Sequence, residues 1–202
     1  FKGFATEMSL EVTSLGVQVH GGMGFVEETG AAQHYRDAKI LTIYEGTTAI
    51  QANDFVGRKT ARDGGAVARA VADEIEATEG ELRQCGSADA LAFATRLGAA
   101  RRAFLDVVDF VVANNRTDPH AVYAGSVPYL MLAGNLVAGW QLGRALRVAT
   151  RLRAGGEDVE FMRRKIAVAR FYADHLLTRV PGLRDSIVDG GGAVNALEPK
   201  AF

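Results

Sequence analysis

One glutamate, Glu45, stands between an aromatic residue and a glycine at a break between two helical patterns, in the run Ile43-Tyr44-Glu45-Gly46-Thr47. A carboxylate held on a bend has the chemistry of a general base. Gly46 removes side-chain bulk beside it, so a planar ring or a substrate chain has room to lie against the carboxylate. Thr47 starts a helix whose free N–H groups and positive dipole end favour a negative group nearby. Ile43, Tyr44 and Ile50 are apolar and are expected to exclude water once a substrate closes the site. Upstream lies a glycine-rich turn, Gly21-Gly22-Met23-Gly24, preceded by Gln18. Two readings of that turn stand side by side. Paired glycines commonly end a helix, and glycine-rich backbone can also present amides to a pyrophosphate. The pattern is not GxGxxG and no strand precedes it, which excludes a Rossmann fingerprint.

Other reactive residues carry less. Arg36-Asp37 is expected to form a structural ion pair or a helix-surface network. His20, His34, His120 and His175 are scattered without ligand spacing, so no metal site is expected. Cys85 sits in a polar turn and is read as an incidental thiol. No G-x-S-x-G elbow occurs. The arginine-rich faces (Arg144, Arg147, Arg151, Arg153; Arg163, Arg164) lack the interleaved aromatics of a nucleic-acid groove.

Helices must position these groups. Phe4, Met8, Leu10, Val12, Leu15, Val17 and Val19 fit a first helix ending at Gly21-Gly22. A loop from Met23 to Gly30 follows. A second helix is expected over Ala31–Ile43, with Tyr35, Ala38, Ile40 and Leu41 toward a core. Thr47 caps a third, with Ile50, Phe55 and Val56 inward. Asp63-Gly64-Gly65 marks a domain boundary, dividing the chain into 1–62 and 63–202. Beyond it, long antiparallel helices are expected over Ala66–Arg83 and Ala88–Asn114. The second places Leu91, Phe93, Leu97, Phe104, Leu105, Val108 and Val111 on one face. Two more are expected, one from Pro128 to about Arg153 and one over Val159–Val180, which ends before Pro181-Gly182. Gly134, Ala138, Gly139 and Gly143 form a small-residue stripe that permits close approach. The tail from Asp189-Gly190-Gly191-Gly192 onward is expected to be flexible. No strand alternation is present, and the fold class is all-α.

Composition narrows the partners. The chain has 202 residues with 23 basic and 24 acidic side chains, net −1, which argues against nucleic acid or an anionic membrane as the main partner. A single cysteine rules out a disulfide framework and fits a reducing cytoplasm or organelle matrix, of which the cytoplasm is expected. The apolar run Val127–Trp140 is too short for a bilayer and contains Asn135. No targeting segment is visible. The chain opens without methionine straight into an amphipathic helix, as a piece of a longer protein would.

Three blocks together carry a resemblance. Gln18-Val19-His20-Gly21-Gly22-Met23-Gly24-Phe25, then Tyr35-Arg36-Asp37-Ala38-Lys39-Ile40, then Ile43-Tyr44-Glu45-Gly46-Thr47-Thr48-Ala49-Ile50-Gln51 closely resemble the C-terminal helical domain of the acyl-CoA dehydrogenases. The match covers about residues 1–60. Residues from about Gly64 to Leu197 resemble the extra C-terminal helical domain of a longer subgroup that includes 3-methylmercaptopropionyl-CoA dehydrogenases. The resemblance implies a helical bundle followed by a second antiparallel helical domain, in an FAD-dependent enzyme that desaturates an acyl-CoA thioester between its α and β carbons. It implies that Glu45 is the catalytic base, that the Glu45 N–H helps polarise the thioester carbonyl, and that Glu45 and Gly46 touch substrate. It implies that Gln18, Gly21 and Gly22 touch the FAD of a neighbouring subunit, so that a homodimer is the minimal unit, and that Thr47 binds the dinucleotide. Many members carry glutamine where this chain has Ala49. Electron-transfer flavoprotein is the acceptor implied by most relatives. Two alternatives stand beside this reading: a catalytically silent helical oligomerisation or interaction module, and an acyl-CoA oxidase.

Overall fold

Glycine, proline and short polar caps divide this chain into helices, and the structure follows that punctuation closely. A computed structural model describes residues 1–194, 196, 197 and 200. Among the described residues every regular element is helical: α1 (Lys2–His20), α2 (Gly22–Phe25), α3 (Ala31–Leu41), α4 (Thr48–Val56), α5 (Ala66–Gln84), α6 (Ala88–Asn114), α7 (Pro119–Ala124), α8 (Ser126–Ala154), α9 (Val159–His175), α10 (Val180–Val188) and α11 (Gly191–Val194). The all-α expectation holds, and α6 begins and ends where its apolar periodicity does.

The differences have physical reasons. The expected loop at Met23–Gly30 folds into α2 and a 3₁₀ turn, Glu27–Thr29. The helix expected to reach Ile43 ends at Leu41, because Thr42, Ile43 and Tyr44 turn their N–H groups back onto Lys39 and Ile40. The last long helix stops at His175 instead of Val180. Pro181 starts α10 instead of ending its predecessor, since a missing N–H costs nothing in a first helical turn. α7 was not foreseen; the Asp118 carboxylate caps it by accepting from the Ala121 N–H at 3.1 Å. In the expected flexible tail, Gly191–Val194 form α11, and buried Gly191 packs on Ala121 of α7; positions 195, 198, 199, 201 and 202 lie outside the described residues.

α5, α6, α8, α9 and α10 enclose one apolar core, with Phe93, Leu97, Val107, Tyr129, Leu132, Leu136 and Leu146 fully buried. Of the face expected on α6, Phe93, Leu97, Phe104, Val108 and Val111 are buried, whereas Leu91 is half exposed. The small-residue stripe on α8 admits side chains from three directions. A Cβ at Gly134 would collide with the Phe4 ring of α1, one at Gly139 with Leu177, and one at Gly143 with Phe93 of α6. α8 is therefore the central post. Arg101 and Glu79 add a buried ion pair between α6 and α5, at 2.7 Å.

Asp63-Gly64-Gly65 is a left-handed turn whose two glycines have φ of 67° and 80°. The N–H groups of Val67 and Gly65 hold the Asp63 carboxyl below the usual carboxylate range. The segments on either side of this turn are packed together. α4 lies against α8, Val56 belongs to the main core, and the Phe55 ring sits 4.6 Å from that of Tyr129. The Thr60 and Tyr129 hydroxyls share a buried hydrogen bond of 3.1 Å. Burial pushes the Tyr129 hydroxyl up to about 12, so it stays protonated in that contact.

α1 and α3 are covered much less. Tyr35 and Ile40 of α3, expected in a core, are 41% and 53% exposed, as is Ile50 of α4 at 59%, and Val12, Leu15 and Val19 of α1 also face out. The apolar residues of α1 recur at nearly every second position, which spreads them around the helix beyond the reach of α3, α4 and α8. No helix among the described residues is long and apolar enough to cross a membrane.

Candidate active site

The chain leaves α3 and enters α4 through one tight elbow, Thr42–Thr47. Glu45 has φ of 53°, a left-handed conformation that few non-glycine residues adopt. The conformation costs roughly 1–2 kcal/mol for a side-chain-bearing residue and persists only where the surroundings over-determine it. Here three consecutive carbonyls are held. The Lys2 ammonium, half-buried on α1, donates to the Tyr44 carbonyl at 2.9 Å and to the Gly46 carbonyl at 2.7 Å. The Gln51 side-chain amide donates to the Glu45 carbonyl at 3.1 Å. The Lys2 ammonium also lies 5.7 Å from the centre of the Tyr44 ring. Thr47 caps α4 as expected, its hydroxyl accepting from the Ile50 N–H at 3.4 Å, and the Thr48 hydroxyl bonds Glu7 of α1. Among the described residues, the N–H groups of Glu45, Gly46 and Thr47 donate to no acceptor. The elbow therefore offers an open row of amide donors beside a carboxylate.

Gly46 has φ of 93°, and a Cβ there would fall 2.9 Å from the Gln51 amide nitrogen. The glycine is required by the turn itself, besides leaving room beside the carboxylate. Glu45 is exposed, and Ile43, Tyr44 and Ile50 are 49%, 46% and 59% exposed. The expected shielding from water is thus not supplied by this chain's own residues. Because Glu45 sits in strain for its backbone and not for its contacts, Glu45→Gly is expected to cost no stability. Relief of the left-handed penalty is offset in part by about 0.4–1 kcal/mol of extra chain entropy in the unfolded state, which leaves a gain near 0.5 kcal/mol. Urea denaturation checks this; a loss above 1 kcal/mol contradicts the strain.

The other predicted residues form a second group. Gly21 ends α1 with φ of 61° and donates its N–H to the Gln18 carbonyl at 3.0 Å, so the helix-ending reading of the glycine pair is borne out. Gln18, Gly21 and Gly22 are exposed, with open space where a Cβ would stand on either glycine. Gly24 is buried, and a Cβ there would strike the Val17 carbonyl, so the glycine lets the turn fold back on α1. Sixteen residues of helix separate Lys2 from Gln18, roughly 24 Å. The Glu45 group and the Gln18 group thus sit at opposite ends of α1.

Arg36 does not pair with Asp37. Its guanidinium makes two bonds, 2.7 and 2.8 Å, to the Glu27 carboxylate, tying the 3₁₀ turn to α3 and holding the Glu27 carboxyl below its usual range. Cys85 is half-buried, its thiol donating to the Glu81 carbonyl at 3.3 Å. Among the described residues no group of three or more His, Cys, Asp or Glu side chains could hold a metal ion. Lys2 was not singled out from the sequence, and no local pattern marks it. Its partners lie 42 and 44 residues away, and only the packing of α1 on the elbow joins them.

Residues 1–59 match the family model described as "Acyl-CoA dehydrogenase, C-terminal domain", and residues 68–198 that described as "Acetyl-CoA dehydrogenase C-terminal like". The 3-methylmercaptopropionyl-CoA dehydrogenase of Ruegeria pomeroyi is 54% identical over 193 residues, covering 96% of this chain and 33% of that protein. The broad-specificity linear acyl-CoA dehydrogenase FadE5 of Mycobacterium tuberculosis is 34% identical over an alignment covering all of this chain and 34% of that protein. A butyryl-CoA dehydrogenase of Syntrophomonas wolfei is 31% identical, over 90% of this chain and 30% of its own length. The chain spans about a third of the length of these relatives.

Proposed function

The chain belongs to the acyl-CoA dehydrogenase family, and we propose that it is the C-terminal part of an FAD-dependent enzyme that desaturates an acyl-CoA thioester. Residues 1–62 would complete the helical domain that carries the base, and 63–202 would form the additional helical domain. The observation that carries this reading is the elbow: a strained glutamate with its own N–H and the next two unbonded, at a glycine-threonine start to a helix.

In this reading the Glu45 carboxylate removes the α-proton of the thioester. The Glu45 N–H donates to the thioester carbonyl, where negative charge develops as the proton leaves, so one residue is both base and oxyanion donor. FAD, when bound, would accept the β-hydride together with its electron pair, and the pair left behind by the α-proton would form the second bond of the carbon–carbon double bond. The residues fit such a group. Gly46 and Thr47 present unbonded amides at the elbow, and Gln18, Gly21 and Gly22 present an exposed backbone with open space beside it. The opposite placement of these two groups on α1 supports contact with two different FAD molecules, hence a homodimer. Ala49 has no side-chain donor to offer the dinucleotide. The exposed faces of α1 and α3, with Glu45 among exposed apolar neighbours, are the surface the remaining parts of the enzyme would cover to dry the site. The same exposure favours a second reading for the isolated chain: a catalytically silent helical module.

The relatives' names support acyl-CoA thioesters as the substrate class, and to this we add electron-transfer flavoprotein as acceptor and the cytoplasm as location. Anaerobic mixing of the full-length protein with a panel of acyl-CoA thioesters tests the reading. Bleaching of bound flavin by at least one of them, with reoxidation by electron-transfer flavoprotein, is expected. Flavin that no thioester reduces defeats the proposal, and stoichiometric peroxide in air reassigns the enzyme as an oxidase.

A further inference from the structure

We infer that Lys2 is a positioning residue for the proposed base, aiming the Glu45 N–H and carboxylate by gripping the carbonyls on either side of Glu45. The inference rests on the reading of Glu45 given above. Its geometry comes from the peptide plane. The carbonyl of Tyr44 and the N–H of Glu45 belong to one planar group and point in opposite directions. The Lys2 bond to the Tyr44 carbonyl therefore fixes the direction of the Glu45 N–H, away from α1 and toward the open side of the elbow. By the same rule its bond to the Gly46 carbonyl sets the Thr47 N–H, and the Gln51 bond to the Glu45 carbonyl sets the Gly46 N–H. All three unbonded amides are thus aimed by two side chains.

An ammonium suits this task. It carries three donors on one nitrogen, and charge-assisted bonds to carbonyls are stronger than neutral ones. A neutral side chain of the same length, such as methionine, fills the space and bonds neither carbonyl. The ordinary role for such a lysine is to cap the end of α3 and favour its dipole. That role alone shifts stability but not the chemical step.

The test compares Lys2→Met, Lys2→Arg and Glu45→Gln in the full-length protein by three measurements: flavin content, anaerobic flavin reduction across acyl-CoA concentration, and amide exchange over residues 42–51. Lys2→Met is expected to keep flavin and half-saturation within threefold of wild type. Its limiting reduction rate should fall roughly 10- to 100-fold, the scale of a misplaced reacting group. The bonded amides of Tyr44, Ile50 and Gln51 should exchange at least tenfold faster while those of α6 do not change. Lys2→Arg should recover most of the rate. A Lys2→Met protein reduced at the wild-type limiting rate, or with unchanged exchange at the elbow, overturns the inference. So does a rate that falls only in proportion to lost flavin. The two failures separate cleanly. If Glu45→Gln is reduced at the wild-type rate, the base reading has failed and the inference with it. If Glu45→Gln is silent while Lys2→Met is fast, only the inference fails.

Discussion

Glu45→Gln in the full-length enzyme is expected to retain FAD and slow its reduction by acyl-CoA about 10²–10⁴-fold, the contribution of a positioned general base. The amide is nearly isosteric with the carboxylate and accepts no proton at neutral pH. The elbow should survive the change, because Lys2 and Gln51 hold it through backbone carbonyls and no bond among the described residues is made by the Glu45 side chain. The loss is therefore chemical. Rapid anaerobic bleaching in this variant, measured by stopped-flow absorbance, contradicts the assignment.

The second large effect belongs to the core packed on the middle of α8. Phe93 is fully buried, and its ring rests on the bare backbone of Gly143, where a Cβ would stand 2.9 Å from it and 3.2 Å from Leu82. Removing the ring leaves a cavity among fully buried neighbours. Phe93→Ala should therefore cost about 3–5 kcal/mol, a large share of the 5–15 kcal/mol typical of a whole domain. The thermal midpoint of this chain should fall by about 10 °C. Gly143 lies nine residues along α8 from Gly134, where Phe4 of α1 docks, roughly 14 Å away. The same variant in the full-length enzyme should thus reduce flavin at the wild-type rate per folded molecule. A destabilisation under 1 kcal/mol means the core has closed over the gap, and lost activity in folded enzyme means the Gly143 and Gly134 contacts of α8 are coupled.

Local rules carried far in this sequence. Both ends of α6 and the start of α5 follow from polar and glycine breaks around apolar periodicity, and Thr47 announces the α4 cap. Pro181 misled, since proline opens a helix as readily as it stops one. Apolar spacing marks which faces of α1 and α3 seek cover without saying what covers them, so Tyr35 and Ile40 were assigned to a core that these elements do not build. At the candidate site, the bend at Glu45-Gly46 and the Thr47 cap were legible from residue type, while the roles assigned to them rest on the resemblance. The strain on Glu45 and the Lys2 grip were not, because a φ angle and a contact over more than forty residues belong to the folded chain.

The most direct test of Glu45 separates proton removal from hydride transfer. An acyl-CoA thioester with sulfur in place of the β-carbon has α-hydrogens to lose and no β-hydrogen to give. Incubated in D₂O with the full-length enzyme and followed by NMR, its α-hydrogens should exchange with solvent in the wild type and stay put in Glu45→Gln. Equal exchange in both proteins would place the base elsewhere.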